Sequence, residues 1–293
     1  MILLVTVDVE GMPLKDGTWD YSTIIEGIPL IRDMFKEFGI SGTFFVSSDV
    51  AQNVGEAMKE VISSRHEIGC HGYKHRALDF CDIRQQYLEL REATETIEAG
   101  LNIKPVGFRA PFCRIGESIM PILTKLGYEY DSSVVPSPKL YSRYYYPNAP
   151  TELYRPSLAS LDKKGEARIT EMPISILPVI GLPMGLSYCL LFGLSLYKSF
   201  LQDFDQEVMT LYLHNYDFYP IPSGAKVSPF FRLPYLRREE HRIRFFRDLL
   251  EFLTERFSPT FLTAGQMLER FKQRGYEPSS KRSLKNHPEK VWV

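Results

Sequence analysis

Apolar and polar positions alternate in blocks along the first half of the chain. An apolar run at residues 2–7 reads as a strand, and residues 23–38 carry Ile24, Ile28, Ile31 and Phe35 at helical spacing. The same alternation continues with strands predicted at 43–46, 67–70, 106–109 and from 128–130 onward. Helices are predicted between them at 54–63, 83–99 and 117–126. Strands interleaved with helices of this length imply βαβ units and a parallel sheet, open or closed into a barrel. Residues 134–205 break the rhythm with several prolines and an aromatic stretch from Tyr141 to Tyr146, which predicts an irregular insertion. Order returns with a strand at 208–213, a helix at 237–257, a strand at 260–262 and a helix at 264–271. One globular unit over 1–274 is expected, followed by a polar, mildly basic and loosely held tail at 275–293.

Composition narrows the function classes. The 293 residues carry 35 Lys+Arg against 36 Asp+Glu, a net charge of −1, with 44% hydrophobic and 24% charged residues. A nucleic-acid-binding surface normally needs a basic excess, so no nucleic-acid partner is expected. Cys70, Cys81, Cys113 and Cys189 form no CxxC pair. That reads as neither a disulfide framework nor a cysteine zinc site, and favours a reducing cytoplasmic location. The opening apolar run is short, lacks a basic flank and leads directly into Asp8, so no signal peptide is expected. Residues 172–197 contain 26 positions without a charge, long enough to span a bilayer. Pro173, Pro178, Pro183, Gly181, Gly185 and Gly193 interrupt this segment. A buried strand, loop and short helix is therefore the expected reading, with a membrane-facing or lipid-binding lip as the alternative.

The candidate chemistry lies where α/β folds bind ligands, just beyond the carboxyl ends of the predicted strands. Asp8 and Glu10 follow the first strand, suited to metal ligation, to general-base work, or to one of each. His71 and His75 follow the strand at 67–70. Gly69 and Gly72 favour a strand-to-loop turn there over a helix, and two imidazoles that meet one cation suit Zn²⁺, Ni²⁺ or Co²⁺. His66 precedes that strand, where solvent exposure is expected. Arg109 ends the next strand, with Pro111 fixing the backbone before Phe112. Asp131 ends another, and His214 ends the late strand, with Asp217 shortly after. Three of the six histidines fall in this set.

The constellation resembles the polysaccharide deacetylase family, also known as the NodB homology group or carbohydrate esterase family 4. Its motifs are matched by Asp8-Val9-Glu10, by His71-Gly72-Tyr73-Lys74-His75, by Arg109-Ala110-Pro111-Phe112, by Asp131 and by Tyr212-Leu213-His214. The resemblance implies an α/β fold, a distorted (β/α)7-type barrel, and a divalent metal, zinc first, held by Glu10, His71 and His75. It also implies Asp8 as general base held by Arg109, His214 as general acid, and Asp131 as the group that orients and charges His214. Pro111 and Phe112 would shape the oxyanion site, the Phe112 backbone N–H donating to it. The chain departs from the family pattern in three places: Asp-x-Glu replaces adjacent aspartates, Gly72 replaces Ser or Thr, and Phe112 replaces Tyr. The function so implied is removal of an N-acetyl or similar small acyl group from an amino sugar in a glycan, a glycan precursor or a lipid-linked sugar. The uncharged 172–197 segment and the tyrosine stretch favour a precursor, and allow peripheral membrane contact. Hydrolysis of a non-sugar amide or ureide is the second enzyme reading, and a catalytically silent carbohydrate-binding protein the third.

Overall fold

Seven parallel strands build the centre of the molecule in the computed structural model, which describes residues 1–274. They are β1 (Ile2–Val9), β2 (Thr43–Val46), β3 (Glu67–Cys70), β4 (Gly107–Phe108), β5 (Tyr130–Asp131), β6 (Thr170–Glu171) and β7 (Val208–His214). Their order across the sheet is β6-β5-β4-β3-β2-β1-β7, and a short eighth strand, β8 (Thr260–Phe261), pairs with the start of β1. Beyond β6 the chain reaches back to the other edge, where Ser175 N–H donates to Thr210 O and Thr210 N–H to Ser175 Oγ. The sheet thus curls into the distorted (β/α)7 barrel that the resemblance implies.

Strand register decides where the chemistry sits. Asp8 pairs with His214 of β7 and Phe45 of β2, Val46 with Cys70, Cys70 with Phe108, and Phe108 with Asp131. Because adjacent parallel strands end level with one another, the residues just beyond them share one rim. β1 is buried along its whole length, as an apolar run covered on both faces must be.

Helices cover the outside of the sheet: α1 (Gly27–Phe38), α2 (Gly55–Ser63), α3 (Ile83–Leu101) and α4 (Ile119–Leu126) precede the irregular region. The amphipathic pattern dictates their burial: α1 places Ile28, Ile31, Met34 and Phe35 in the core. The helix predicted from 23 to 38 is broken at Glu26–Gly27 into a short turn, Ser22–Ile25, and α1. Gly27 allows that break to press on its neighbour, since a Cβ there would lie 2.4 Å from Asn215 O.

The irregular 134–205 region contributes more than loops. It supplies β6 to the sheet, a β-hairpin pair (Pro156–Ser157 and Ser160–Lys164), and the helices α5 (Leu186–Phe192) and α6 (Leu194–Leu201). Met172, Ile174, Leu177, Met184, Leu186 and Tyr197 are all buried. The strand expected in the uncharged segment is instead buried irregular chain with isolated bridges at Ile176–Pro183 and Gly185–Tyr212, followed by two short helices split at Gly193, where φ is +91°. No helix among the described residues is long and apolar enough to cross a membrane. α7 (Glu239–Phe257) and α8 (Ala264–Gln273) complete the shell, α8 opening on a capping box between Thr263 and Gln266. The tail predicted from 275 lies outside the described residues.

Candidate active site

Glu10, His71 and His75 converge just beyond β1 and β3, their ligand atoms all within 4.8 Å of one another. The loop that carries the histidines is a strand-to-loop turn: Gly72, Lys74 and His75 all have positive φ, at +77°, +46° and +48°. Non-glycine residues in this region store strain, which the surrounding hydrogen bonds must hold. Gly72 N–H donates to Cys70 Sγ, Ser48 N–H to Gly72 O, and Lys74 N–H to Ser48 Oγ. His71 Nδ1 lies 2.8 Å from the Arg109 carbonyl, which fixes the proton on Nδ1 and leaves the Nε2 lone pair facing Glu10 at 3.7 Å. His75 Nε2 meets the same Glu10 oxygen.

These donors suit a cation. A carboxylate and two imidazole lone pairs aimed at one point repel one another unless a positive charge joins them. Burial pushes the His71 imidazole down to about 4, against the pull of Asp8, so it stays neutral as a ligand must. Burial would raise Glu10, but His75, His214 and His71 outweigh it and hold the carboxyl down to about 2. The Glu10 backbone is pinned by Asn215, whose Oδ1 accepts the Glu10 N–H at 3.0 Å while its Nδ2 donates to Glu10 O at 3.2 Å.

Asp8 stands beside this cluster, 2.9 Å from Arg109 Nη1. Arg109 has no exposed surface, and every arm of its guanidinium is used. Nη1 also donates to Thr6 Oγ1, Nη2 to Ser132 Oγ and Nε to Ser132 O. Burial disfavours an ionised Asp8, yet Arg109, then His71 and His214, hold its carboxyl below the ordinary aspartate value.

His214 faces Asp8 from the neighbouring strand and stacks on Tyr216 at 4.6 Å between ring centres. Its charge partner is not Asp131. The carboxylate beside it is Asp217, with Oδ2 3.8 Å from His214 Nδ1 and 2.7 Å from the His214 N–H, and Oδ1 accepting from Tyr235 OH at 2.9 Å. Burial would lower His214, but Asp217, with help from Asp8 and Glu10, raises it above the ordinary histidine value.

Asp131 works on the opposite wall. It accepts from Ser133 Oγ at 2.6 Å, and Ser133 Oγ in turn accepts the Ala110 N–H at 2.8 Å. The Arg109–Phe112 loop is thereby tied to β5. Asp131 also pairs with Glu171 of β6, whose other contact is the Val134 N–H at 3.0 Å. Burial and the adjoining Asp131 charge push Glu171 far above the ordinary glutamate value. The chain gave no sign of Glu171, because it lies in a two-residue strand inside the irregular region. Asn215 and Asp217 follow His214 in a turn, where polar residues are ordinary, although their position next to a strand-end histidine was a usable signal. His66, expected in solvent, is half-buried against Phe35 and Phe44, and its Nδ1 accepts the Gly42 N–H.

The site opens into a cleft of about 490 Å³ that holds Asp8, Glu10, His71, His75 and His214. Its walls are aromatic and aliphatic, and include Phe112, Tyr145, Tyr188 and Phe192. Phe112 has φ +59°, follows Pro111, is 58% exposed and lays its ring 4.3 Å from that of His75. A wider groove of about 1290 Å³ between α2 and α3 is lined by Glu56, Glu60, Glu92 and Glu95, and contains none of these groups.

This arrangement can activate water on one side and protonate a leaving group on the other. Residues 17–130 match the family described as polysaccharide deacetylase. Over that part of the chain it is similar to the polysaccharide deacetylases. A peptidoglycan deacetylase from Helicobacter pylori is 28% identical over 109 residues, 37% of this chain and 37% of that protein. The chain spans less than half the length of the curated relatives it matches. In fold it is similar over 98% of its length to a Mycobacterium smegmatis protein assigned to the polysaccharide deacetylases, with a TM-score of 0.64 at 19% identity and 94% of that chain covered. An allantoinase structure superposes with a TM-score of 0.61 at 14% identity, over 94% of this chain and 91% of that one.

Proposed function

We propose that this chain is a member of the polysaccharide deacetylase family and a metal-dependent amidohydrolase that removes an N-acetyl, or similar small acyl group, from an amino sugar in a glycan or glycan precursor. One observation carries the reading: an Asp8–Arg109 pair and a charged-form His214 flank the Glu10–His71–His75 cluster within one cleft. The relatives named for peptidoglycan and chitin deacetylation support an N-acetylated sugar as substrate.

Glu10, His71 and His75 would hold a divalent cation, zinc first and cobalt or nickel next. When bound, it supplies Lewis acidity, polarising the amide carbonyl and lowering the pKa of water. Asp8, kept ionised by Arg109, takes a proton from the attacking water as its oxygen bonds to the carbonyl carbon. The Phe112 backbone N–H, held by Pro111 and by the Ala110–Ser133–Asp131 chain, is the protein's donor to the oxyanion. His214, kept protonated by Asp217, gives its proton to the nitrogen as the C–N bond breaks. Without that proton the amine is too poor a leaving group. The products are a carboxylate and a free amino sugar.

The test is acetate release from N-acetylglucosamine oligomers, and from a lipid-linked N-acetylated sugar, by the zinc-loaded protein. Asp8→Asn and His71→Ala should each lower kcat by about 10²-fold or more. Retained turnover in either overturns the assignment, and ammonia release from ureides without acetate release from any sugar moves the reading to the ureide class.

A further inference from the structure

The mouth of the cleft is bordered by apolar side chains that remain exposed among the described residues. Leu140 is 87% exposed and Leu236 76%, with Leu233 and Phe192 also exposed. Leu140 and Phe192 line the cleft itself. Leu233 and Leu236 flank Pro234 and Tyr235, which line it, on a short turn packed against α5. The loop carrying Leu140 is fastened to the uncharged segment, Tyr141 OH donating to Ile180 O and Ser137 Oγ to Gly181 O. Val179, on that segment, is 91% exposed.

Charge on these border segments is one-sided. Residues 138–144 contain Lys139 and Arg143, residues 228–238 contain Arg232, Arg237 and Arg238, and residues 172–197 contain no charge. None of the three contains an acidic residue, although the chain as a whole carries a net charge of −1. Lys139, Arg143, Arg237 and Arg238 are exposed, whereas Arg232 is partly buried and donates to Pro222 O and Ala225 O. The acids adjoining these segments are the buried Glu171 and the exposed Glu239 and Glu240, which open the first turn of α7.

Exposed leucines set among exposed lysine and arginine form the side-chain pattern that seats a protein in the interface of a bilayer. The apolar tips enter the headgroup boundary, and the cations pair with anionic lipid. We propose that the collar formed by residues 138–144, α5 and 233–238 docks on an anionic membrane surface, with the cleft opening towards that surface. The consequence for substrate rests on the deacetylase reading: the amino sugar is then one held at the membrane by a lipid. The docking surface itself does not depend on that reading.

The experiment is co-sedimentation of the full chain with phosphatidylcholine vesicles, with and without about 30 mol% phosphatidylglycerol. Binding is expected only to the anionic vesicles, and is expected to weaken as salt shortens the Debye length. Each cation at an anionic leaflet is worth about fivefold in partition, so Arg237→Gln/Arg238→Gln should lose roughly 20-fold. Leu233→Ser/Leu236→Ser should also weaken binding. These exposed positions lie outside the cleft lining, so unchanged thermal melting and unchanged hydrolysis of a soluble N-acetylated oligomer are expected in both variants. Failure to bind either vesicle, equal binding to both, or variant binding equal to wild type overturns the docking surface. Absence of hydrolysis by all the proteins, with lipid binding intact, overturns the deacetylase reading instead.

Discussion

His214 shows how a single neighbour decides what a buried residue can do. Burial alone would strip its proton, and the carboxylate of Asp217, tied down by Tyr235 and the His214 backbone, reverses the sign. A general acid is useful only while protonated, so activity should fall as pH rises through this raised value. Asp217→Asn keeps the shape and removes the charge. Its alkaline limb should move to lower pH, with kcat at pH 8 down about tenfold and KM little changed. An unshifted limb would take Asp217 out of the reaction. Gly72 makes the complementary point about backbone. At φ +77° an L-residue is strained, and a Cβ would lie 3.1 Å from the Pro111 ring. Gly72→Ser, which restores the residue usual in the family, should therefore cost about 1–2 kcal/mol in urea unfolding and lower turnover by disturbing His71 and His75. A variant as stable and active as wild type would show that the loop relaxes freely.

At the level of elements, β5 and β6 meet at two buried carboxyls, Asp131 and Glu171, which are expected to share a proton. Glu171 is raised far above its ordinary value of 4.5, so the folded state binds that proton more tightly than the unfolded chain. The resulting stabilisation is complete below pH 4.5 and is lost as pH climbs through the raised value. Glu171→Gln supplies a permanent N–H to Asp131 and keeps an oxygen for Val134. Its stability relative to wild type should therefore rise with pH above 4.5, read as urea midpoints between pH 5 and 9; a constant offset would refute proton sharing. The same pair marks the edge of what patterning reveals. Strands β1, β2, β3 and β7 were legible because their apolar runs end on conspicuous polar residues, which also exposed Asp8, His71 and His214. β6 was not, because two polar residues, Thr170 and Glu171, are buried by pairing rather than by apolarity. Asp131 was placed at the right strand end but assigned the wrong neighbour. Periodicity locates a residue on the rim and says nothing of which way round the barrel its side chain reaches.

For the molecule as a whole, the donors come from separate parts of the chain: Glu10 beyond β1, and His71 and His75 beyond β3. A cation that joins them must favour the folded state, since the unfolded chain holds no such arrangement. Free zinc at about a hundredfold excess over its Kd would add roughly 2.7 kcal/mol. For a chain of this size that is a rise of about 5 °C in Tm after chelator treatment. Glu10→Gln and His71→Ala should melt cooperatively yet lose most of that increment, and an undiminished increment in both would place the bound zinc elsewhere. Acid offers an independent check on the same residues. Without metal, Glu10 is held down to about 2, against an ordinary 4.5. The stability this contributes is present above 4.5 and disappears as pH falls towards 2. The zinc-dependent increment should vanish over that range as well, because His71, held down to about 4, takes up a proton there and can no longer serve as a ligand. In Glu10→Gln, which has no carboxylate to titrate, the stability loss between pH 4.5 and 2 should be shallower than in wild type.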